Sequence, residues 1–462
     1  MRQSSLINAT RTKDVYTANG AITHSTTLNN CLDMFSIAGS MRGKSENEII
    51  RLFERAYAQD KNLAYKILFW ARDARGGAGE RRFFHIIMKY VWKVYPEDAE
   101  QLMIHVPEFG YWKDVFVIEK PGENNLNWLY AQLSEGVNKN LLAKWFPRKG
   151  VWFTAMHKYL KVTPKEFRKL LVSMTNVVET QMCQKLWDKI KYSQVPSVAM
   201  HRYRKTFFKR DLEGMTAFIN RVKEGKEKIN ASVLFPYQLY QAMKQGENRD
   251  AVEAQWNALP NYMADSTERI LPVCDVSDSM SGMPMDISIS LGLYISERNK
   301  SIFKDAFITF SSHPTMEYLK GTLAQRMQQL EKAHWEMSTD LQAVFRLILN
   351  SAVNSSVPVE DMPTKILIIS DMEFNNACSH TNLEAIQRQY IASGYTMPQI
   401  VFWNVNGRAG NAPAQATDKG VGLVSGFSPS ILKSVLKGQI YTPVQLMLDT
   451  VGIERYSMIN VE

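Results

Sequence analysis

The chain has four cysteines in 462 residues, Cys31, Cys183, Cys274 and Cys378, with no CxxC pair and no histidines at zinc spacing beside them. That distribution argues against both a disulfide framework and a zinc site, and reduced thiols with structural roles are expected. Long apolar runs are also missing. None approaches the length that crosses a bilayer, and the first thirty residues offer no core for a signal peptide. A cytoplasmic, unanchored protein with no membrane partner is expected. No HExxH and no Ser-His-Asp arrangement is visible, so the chain is not expected to be an enzyme.

What the sequence does have is length and an uneven charge. At this size two domains are the starting expectation. Residues 1–250 carry 40 Lys and Arg against 25 Asp and Glu, whereas residues 251–462 carry 15 against 21. The positive excess therefore belongs wholly to the first half, and a basic domain commonly meets phosphate.

From Glu46 onward apolar residues recur at helical spacing: Ile49, Ile50, Phe53 and Ala56, then Leu63, Ile67 and Leu68, then Phe83, Ile86, Ile87 and Val91. The habit returns around Leu126–Leu133, Leu141–Trp145, Phe167–Val177, Met215–Val222 and Leu234–Met243, with Pro147, Pro164, Pro196 and Pro236 as punctuation. Strand-like alternation is nearly absent here. An all-helical array of this length is most economically a curved, HEAT-like repeat of helix pairs, although no clean sequence period marks it.

Two basic segments stand out in this half. "RDARGGAGERR", Arg72 to Arg82, has glycines but lacks the Lys-Ser or Lys-Thr of a P-loop and follows a helical pattern. It reads better as a joint between helices whose glycines permit close packing, with Arg72, Arg75, Arg81 and Arg82 left as possible polyanion contacts. "HRYRKTFFKR", His201 to Arg210, places Arg202, Arg204, Lys205, Lys209 and Arg210 around Tyr203, Phe207 and Phe208. Two readings stand side by side: direct RNA contact through phosphates and stacked bases, or a solvated face over a core stripe. "KVTPKEFRK" and Lys185, Lys189 and Lys191 add charge nearby in sequence.

After "NALPNYMADSTER" the pattern changes. Short β-branched or aromatic runs, "RILPVCDV", "DAFITFSS", "KILIISDM", "QIVFWNVN" and a weaker "GVGLVSG", alternate with helical stretches near Met285–Arg298, Leu323–Ala333, Leu341–Val353, Leu383–Ala392 and Ser430–Val435, and a last helix follows from Pro443. Such alternation predicts a mostly parallel, doubly wound sheet covered on both faces, with ligands at the carboxyl ends of its strands. The domains are expected at residues 1–265 and 266–462.

Asp275, Ser277 and Ser279 stand where the first of those strands becomes a loop. "MSTDL" offers Ser338, Thr339 and Asp340 before a helix, and "LIISDME" offers Asp371 after a very apolar strand. Hydroxyls plus one or two carboxylates, without thiolate or imidazole, suit Mg²⁺ or Mn²⁺ and leave room for water or an incoming carboxylate. Ser281 and Ser338 are read instead as plain helix caps. A phosphatase of the haloacid dehalogenase type would need a second carboxylate two residues after Asp275, where Ser277 stands.

"DVSDS", then "STD", then "ISD" resembles the metal-ion-dependent adhesion site of a von Willebrand factor type A domain. By that resemblance Asp275, Ser277 and Ser279 belong to the first metal loop, Thr339 to the second and Asp371 to the third. Asp278 and Glu373 depart from the usual pattern: the first should point outward, and the second could contact the metal or a bound water. With "TANGAITHSTTLNNCLDMFSIAGSMRG", "RDARGGAGERR", "LAKWFPRKG" and "PVCDVSDSM", most of the chain resembles the Ro autoantigen or TROVE group and a Ro-like family. That resemblance implies a monomeric ring: helical repeats that curl until the A domain meets the amino-terminal end, a central hole for single-stranded RNA ends, and a basic outer surface for structured small RNAs. The alternative is a non-enzymatic interaction or virion assembly protein that grips a partner carboxylate through the metal.

Overall fold

The computed structural model of the chain describes residues 15–118, 121–246, 248–310, 313–331, 339–375 and 382–462. Cys378 and Ser338 lie outside the described residues. From Asn30 to Asn257 the elements are helices, among them Asn30–Ala38, Glu46–Gln59, Lys61–Arg72 and Arg81–Val94. Local chemistry sets their starts. Ser45 caps the second by accepting the Glu48 N–H at 3.3 Å, Asp60 caps the third by accepting Leu63 N–H at 2.9 Å, and Glu80 takes the N–H groups of Arg82 and Phe83. Each then buries one apolar stripe, such as Ile49, Leu52, Phe53 and Ala56. The helix expected over Phe167–Val177 spans Pro164–Met174, opened by a Thr163–Glu166 capping box.

The glycine-bearing segment after Arg72 is a joint between helices. A Cβ on Gly77 would sit 2.0 Å from the Trp70 carbonyl oxygen, so only glycine lets the chain fold back this closely. Arg72 is buried there against Asp114 (Nε 2.9 Å, Nη2 2.5 Å), which removes it from the candidate polyanion contacts.

The second half holds a six-stranded sheet. Strands β3 (Ile270–Cys274), β4 (Ala306–Thr309), β5 (Met316–Tyr318), β6 (Lys365–Ser370), β7 (Gln399–Asn404) and β8 (Val421–Ser425) run in the order β5-β4-β3-β6-β7-β8, with β5 alone antiparallel. Two short strands near the amino terminus, β1 (Val15–Tyr16) and β2 (Ile22–Thr23), form a separate hairpin. β3 is central, and the chain leaves it first toward β4 and later returns on its other side as β6. That reversal opens a crevice at the carboxyl ends of β3 and β6. Helix Met283–Arg298, buried from Ile287 to Ser296, packs on β3, β4 and β6. Gly292 makes the approach possible, since a Cβ there would stand 2.2 Å from Cys274 Sγ.

The sheet domain touches both ends of the helical array. On the chain-adjacent side, Trp256 Nε1 donates to Glu297 at 2.6 Å and Arg298 Nη2 to the Trp256 carbonyl at 2.7 Å. At the other end helix Asn30–Ala38 lies on β8: Gly39 N–H donates to Ser425 Oγ at 2.9 Å, and that hydroxyl donates to the Phe35 carbonyl at 3.1 Å. A Cβ on Gly39 would meet the Ser425 carbonyl oxygen at 2.3 Å. Asp73, fully buried, accepts Arg455 Nε at 2.6 Å, Arg455 Nη2 at 2.9 Å and Tyr456 hydroxyl at 3.0 Å. Between these contacts the helices Val178–Cys183, Ser197–Arg210 and Leu212–Lys223 share a small core of their own around Met200, Phe207, Met215 and Phe218.

Two thiols, Cys31 and Cys274, are buried and unpaired, and burial pushes each up to about 12. Cys183 is exposed, so the expectation of a structural thiol is corrected at that position. Among the described residues no helix is long and apolar enough to cross a membrane.

Candidate functional site

Asp275 follows β3 and Asp371 follows β6, so adjacent parallel strands deliver two carboxylates to one crevice. Register fixes the match: Cys274 pairs with Ile369, and Asp275 N–H donates to the Ile369 carbonyl at 3.0 Å. Both side chains are buried. Asp275 accepts the Ser277 N–H at 3.0 Å and the Ser370 hydroxyl at 2.5 Å. Ser277 Oγ and Ser279 Oγ are 3.1 Å apart. Burial, reinforced by the charge of Asp371, pushes the Asp275 carboxyl up to about 6, and burial raises Asp371 as well. Two anions pressed together out of water are a standing electrostatic cost that a cation would relieve.

Thr339 is the fifth candidate, and its hydroxyl is buried with no hydrogen-bond partner among the described residues, an orphan of the kind that a ligand satisfies. Asn375 N–H holds the Thr339 carbonyl at 3.0 Å, which ties the loop before helix Leu341–Asn354 to the one after β6. The donor set of Asp275, Ser277, Ser279, Thr339 and Asp371 thus fits a hard divalent ion by its chemistry: small oxygens, two carboxylates, one hydroxyl unsatisfied. Among the described residues no group of three or more His, Cys, Asp or Glu side chains is placed to hold a metal ion.

The neighbours sort themselves by partner. Asp340 caps its helix by accepting Ala343 N–H at 2.9 Å and pairs with Arg346 at 3.1 Å. Asp278 is exposed. Ser281 does not open the next helix, whose N-cap is Gly282, so the capping role expected of it there is corrected. Glu373, considered above as a contact for metal or water, is engaged elsewhere: Arg408 Nη1 at 3.1 Å, Asn411 Nδ2 at 3.3 Å and the Ala18 N–H. Ser370, buried inside an apolar strand, escaped sequence reasoning. Its place as the last residue of "KILIIS", directly before Asp371, was the available signal.

A second feature lies inside the curve of the helical array. A cavity of about 870 Å³ is lined by residues between Ala74 and Val233 only, and its walls carry Arg75, Arg81, Lys113, Lys144, Lys189, Lys191 and Arg202 against the single acid Glu179. Asn138, Asn140, Asn176 and Asn230 supply amides, and Tyr111 and Trp145 supply rings. Lys113 Nζ and Lys144 Nζ stand 5.7 and 5.1 Å from the centre of the Trp145 ring. Lys144 is paired with Glu179 at 2.7 Å, and Arg81 with Asp114 at 2.7 Å. Asp114 also takes His85 at 2.7 Å as well as Arg72, so this one buried carboxylate anchors a wall of the cavity.

Of the five residues proposed from "HRYRKTFFKR", only Arg202 lines this cavity. Lys205, Lys209 and Arg210 are exposed elsewhere on the same helix. Arg204 is a correction: it is 3% exposed, on the stripe shared with Met200 and Phe207, and cannot reach a phosphate. Phe207 is core too, while His201, lowered to about 4 by burial and by the charges of Arg204 and Arg202, is neutral.

Residues 17–120 and 141–268 match the model of a family described as "Domain of unknown function (DUF2828)", and residues 269–451 match "Domain of unknown function (DUF7788)". The first match spans just over half of the chain, and the chain belongs to the DUF2828 family. "Uncharacterized protein L728" of Acanthamoeba polyphaga mimivirus is 29% identical over 497 residues, covering 94% of this chain and 86% of that one. Among solved structures, the RO (RSR) protein of Deinococcus radiodurans is similar at 13% identity and a TM-score of 0.40, covering 92% of this chain and 100% of that chain.

Proposed function

We propose that this chain is a non-enzymatic RNA-binding protein whose ring takes unpaired RNA into its basic cavity and whose sheet domain holds Mg²⁺ or Mn²⁺ at the β3–β6 crevice. The cavity carries the reading. Seven cations against one acid, in a concave site with amides and two aromatic rings, match a backbone of phosphates with bases that stack and hydrogen-bond. Lys205, Lys209 and Arg210 extend the positive surface outside the cavity, where structured RNA would lie.

At the crevice, Asp275, Ser277, Ser279, Thr339 and Asp371 would hold the ion. When bound, it supplies a positive centre that accepts a carboxylate from a partner protein. The chain's own residues do the rest: Ser370 fixes the Asp275 carboxylate, and the Glu373 N–H, donating to Asp371 Oδ1 at 3.1 Å, fixes that of Asp371. A second reading, in which partner capture is the main task and the basic half is scaffold, is favoured by the exposure of Ser279 and Asp278 on the rim.

Fluorescence anisotropy with a labelled unstructured RNA at low salt tests the first reading, which fails if the affinity does not exceed that of a neutral control protein. Asp275→Ala tests the ion site of both readings: it should abolish Mg²⁺ binding by calorimetry and leave RNA affinity unchanged.

A further inference from the structure

The loop that carries Asp371 is held from the far end of the chain. The turn of the β1–β2 hairpin, Thr17 to Gly20, docks on residues 372–375. Thr17 Oγ1 donates to the Phe374 carbonyl at 2.6 Å, Asn19 Nδ2 to the Glu373 carbonyl at 2.5 Å, and the Ala18 N–H to the Glu373 carboxylate. Gly20 and Asn375 form an isolated antiparallel bridge. Asn411, which accepts the Thr23 hydroxyl at 2.9 Å, donates in turn to the Met372 carbonyl at 3.0 Å. Three successive carbonyls after Asp371 are therefore taken up by groups on, or tied to, the hairpin.

That grip matters because the loop is not relaxed. Met372 sits at φ +68°, a left-handed conformation that a non-glycine residue keeps only when its surroundings impose it. The same loop, through Asn375, holds the Thr339 carbonyl at 3.0 Å. One hairpin thus governs the backbone behind two of the three loops that converge in the crevice.

Resting on the cation reading above, we propose that the amino-terminal hairpin is a positioning element of the cation site: ion binding and hairpin docking are thermodynamically coupled. Coupling of this kind is reciprocal. Loss of the docking hydrogen bonds lowers ion affinity, and ion binding tightens the hairpin. Thr17 and Asn19 touch no ligand; they act through Glu373 and Phe374.

The test uses the full chain and Mn²⁺ as probe, with binding followed by electron paramagnetic resonance. Thr17→Val combined with Asn19→Ala removes the two docking hydrogen bonds, together with the one that Ala21 N–H donates to Thr17 Oγ1 at 2.9 Å, and should weaken Mn²⁺ binding about tenfold. Thr17→Ser, which keeps the hydroxyl, should bind within about twofold of the parent, a rescue that a general loss of stability would not give. In the unaltered protein, Mg²⁺ should slow hydrogen exchange at the Ala18 and Ala21 amides. Parental Mn²⁺ affinity in the double variant, or hairpin exchange indifferent to Mg²⁺ in a protein that binds it, overturns the coupling alone. A parent that binds no Mn²⁺ overturns the cation reading and the coupling together.

Discussion

Replacing Lys189 and Lys191 by Gln asks directly whether the cavity attracts phosphate. Of its seven cations, Lys144 is paired with Glu179 and Arg81 with Asp114, whereas Arg75, Lys113, Lys189, Lys191 and Arg202 are in no ion pair among the described residues. If those five each neutralise one phosphate of a single strand, log Kobs should fall against log salt with a slope of about −3.5, so affinity drops about a hundredfold between 50 and 200 mM salt. Removing two of them should flatten the slope to about −2.1 and leave the sequence preference untouched. Anisotropy titrations of one labelled oligoribonucleotide across a salt series measure both slopes. A double variant with the parental slope would refute the assignment of the cavity, because nothing else in those substitutions depends on counterions. A shallow parental slope with tight binding would refute the phosphate argument itself.

Three further outcomes follow from the packing. Gly292→Ala forces a methyl group into the Cys274 sulfur and should destabilise the sheet domain by about 1 to 3 kcal/mol in urea unfolding, with Cys274→Ala in the same chain recovering most of it. Asp73→Asn removes the acceptor charge from Arg455 and should cost about 2 to 3 kcal/mol, read as a lower midpoint with helix content unchanged below the transition. His201 has its folded value depressed to about 4, by burial first and by Arg204 and Arg202 after it. The unfolded chain takes up that proton at higher pH than the folded one. Stability contributed by the neutral ring is therefore intact above about 6.5 and is lost as pH falls toward 4, by up to about 3 kcal/mol. His201→Gln should flatten stability over that window, and an unchanged pH profile would count against the burial of the ring.

Much of this was legible in the residues. The strands of the second half announced themselves because parallel strands buried on both faces are continuous apolar runs, and the acidic or hydroxyl residues that end "ILPVC" and "KILIIS" had to emerge at the carboxyl edge. Asp275, Ser277, Ser279 and Asp371 were placed on that basis; in the structure Asp275 accepts the Ser277 N–H, and Ser277 Oγ stands 3.1 Å from Ser279 Oγ. Other features could not be read. β1, β2 and β5 are two or three residues long and carry too little pattern, and the partners of the hairpin lie more than 350 positions away. The cavity cations come from six separated segments, so their common direction exists only once the array has curved. Arg204 was misjudged from composition when spacing held the answer: Met200, Arg204 and Phe207 fall on one helical stripe, and a charge on such a stripe goes inward with it.

Closure through the sheet domain has a consequence for how the molecule comes apart. An open solenoid presents a raw apolar face at each end and frays from there, which is why such arrays need polar terminal repeats. Here β8 with its following segments shields the first helices while helix Met283–Arg298 shields the last, so neither end of the array is left bare. Severing the chain near residue 265 would strip both shields at once, leaving two fragments that each display the greasy surface the other had covered.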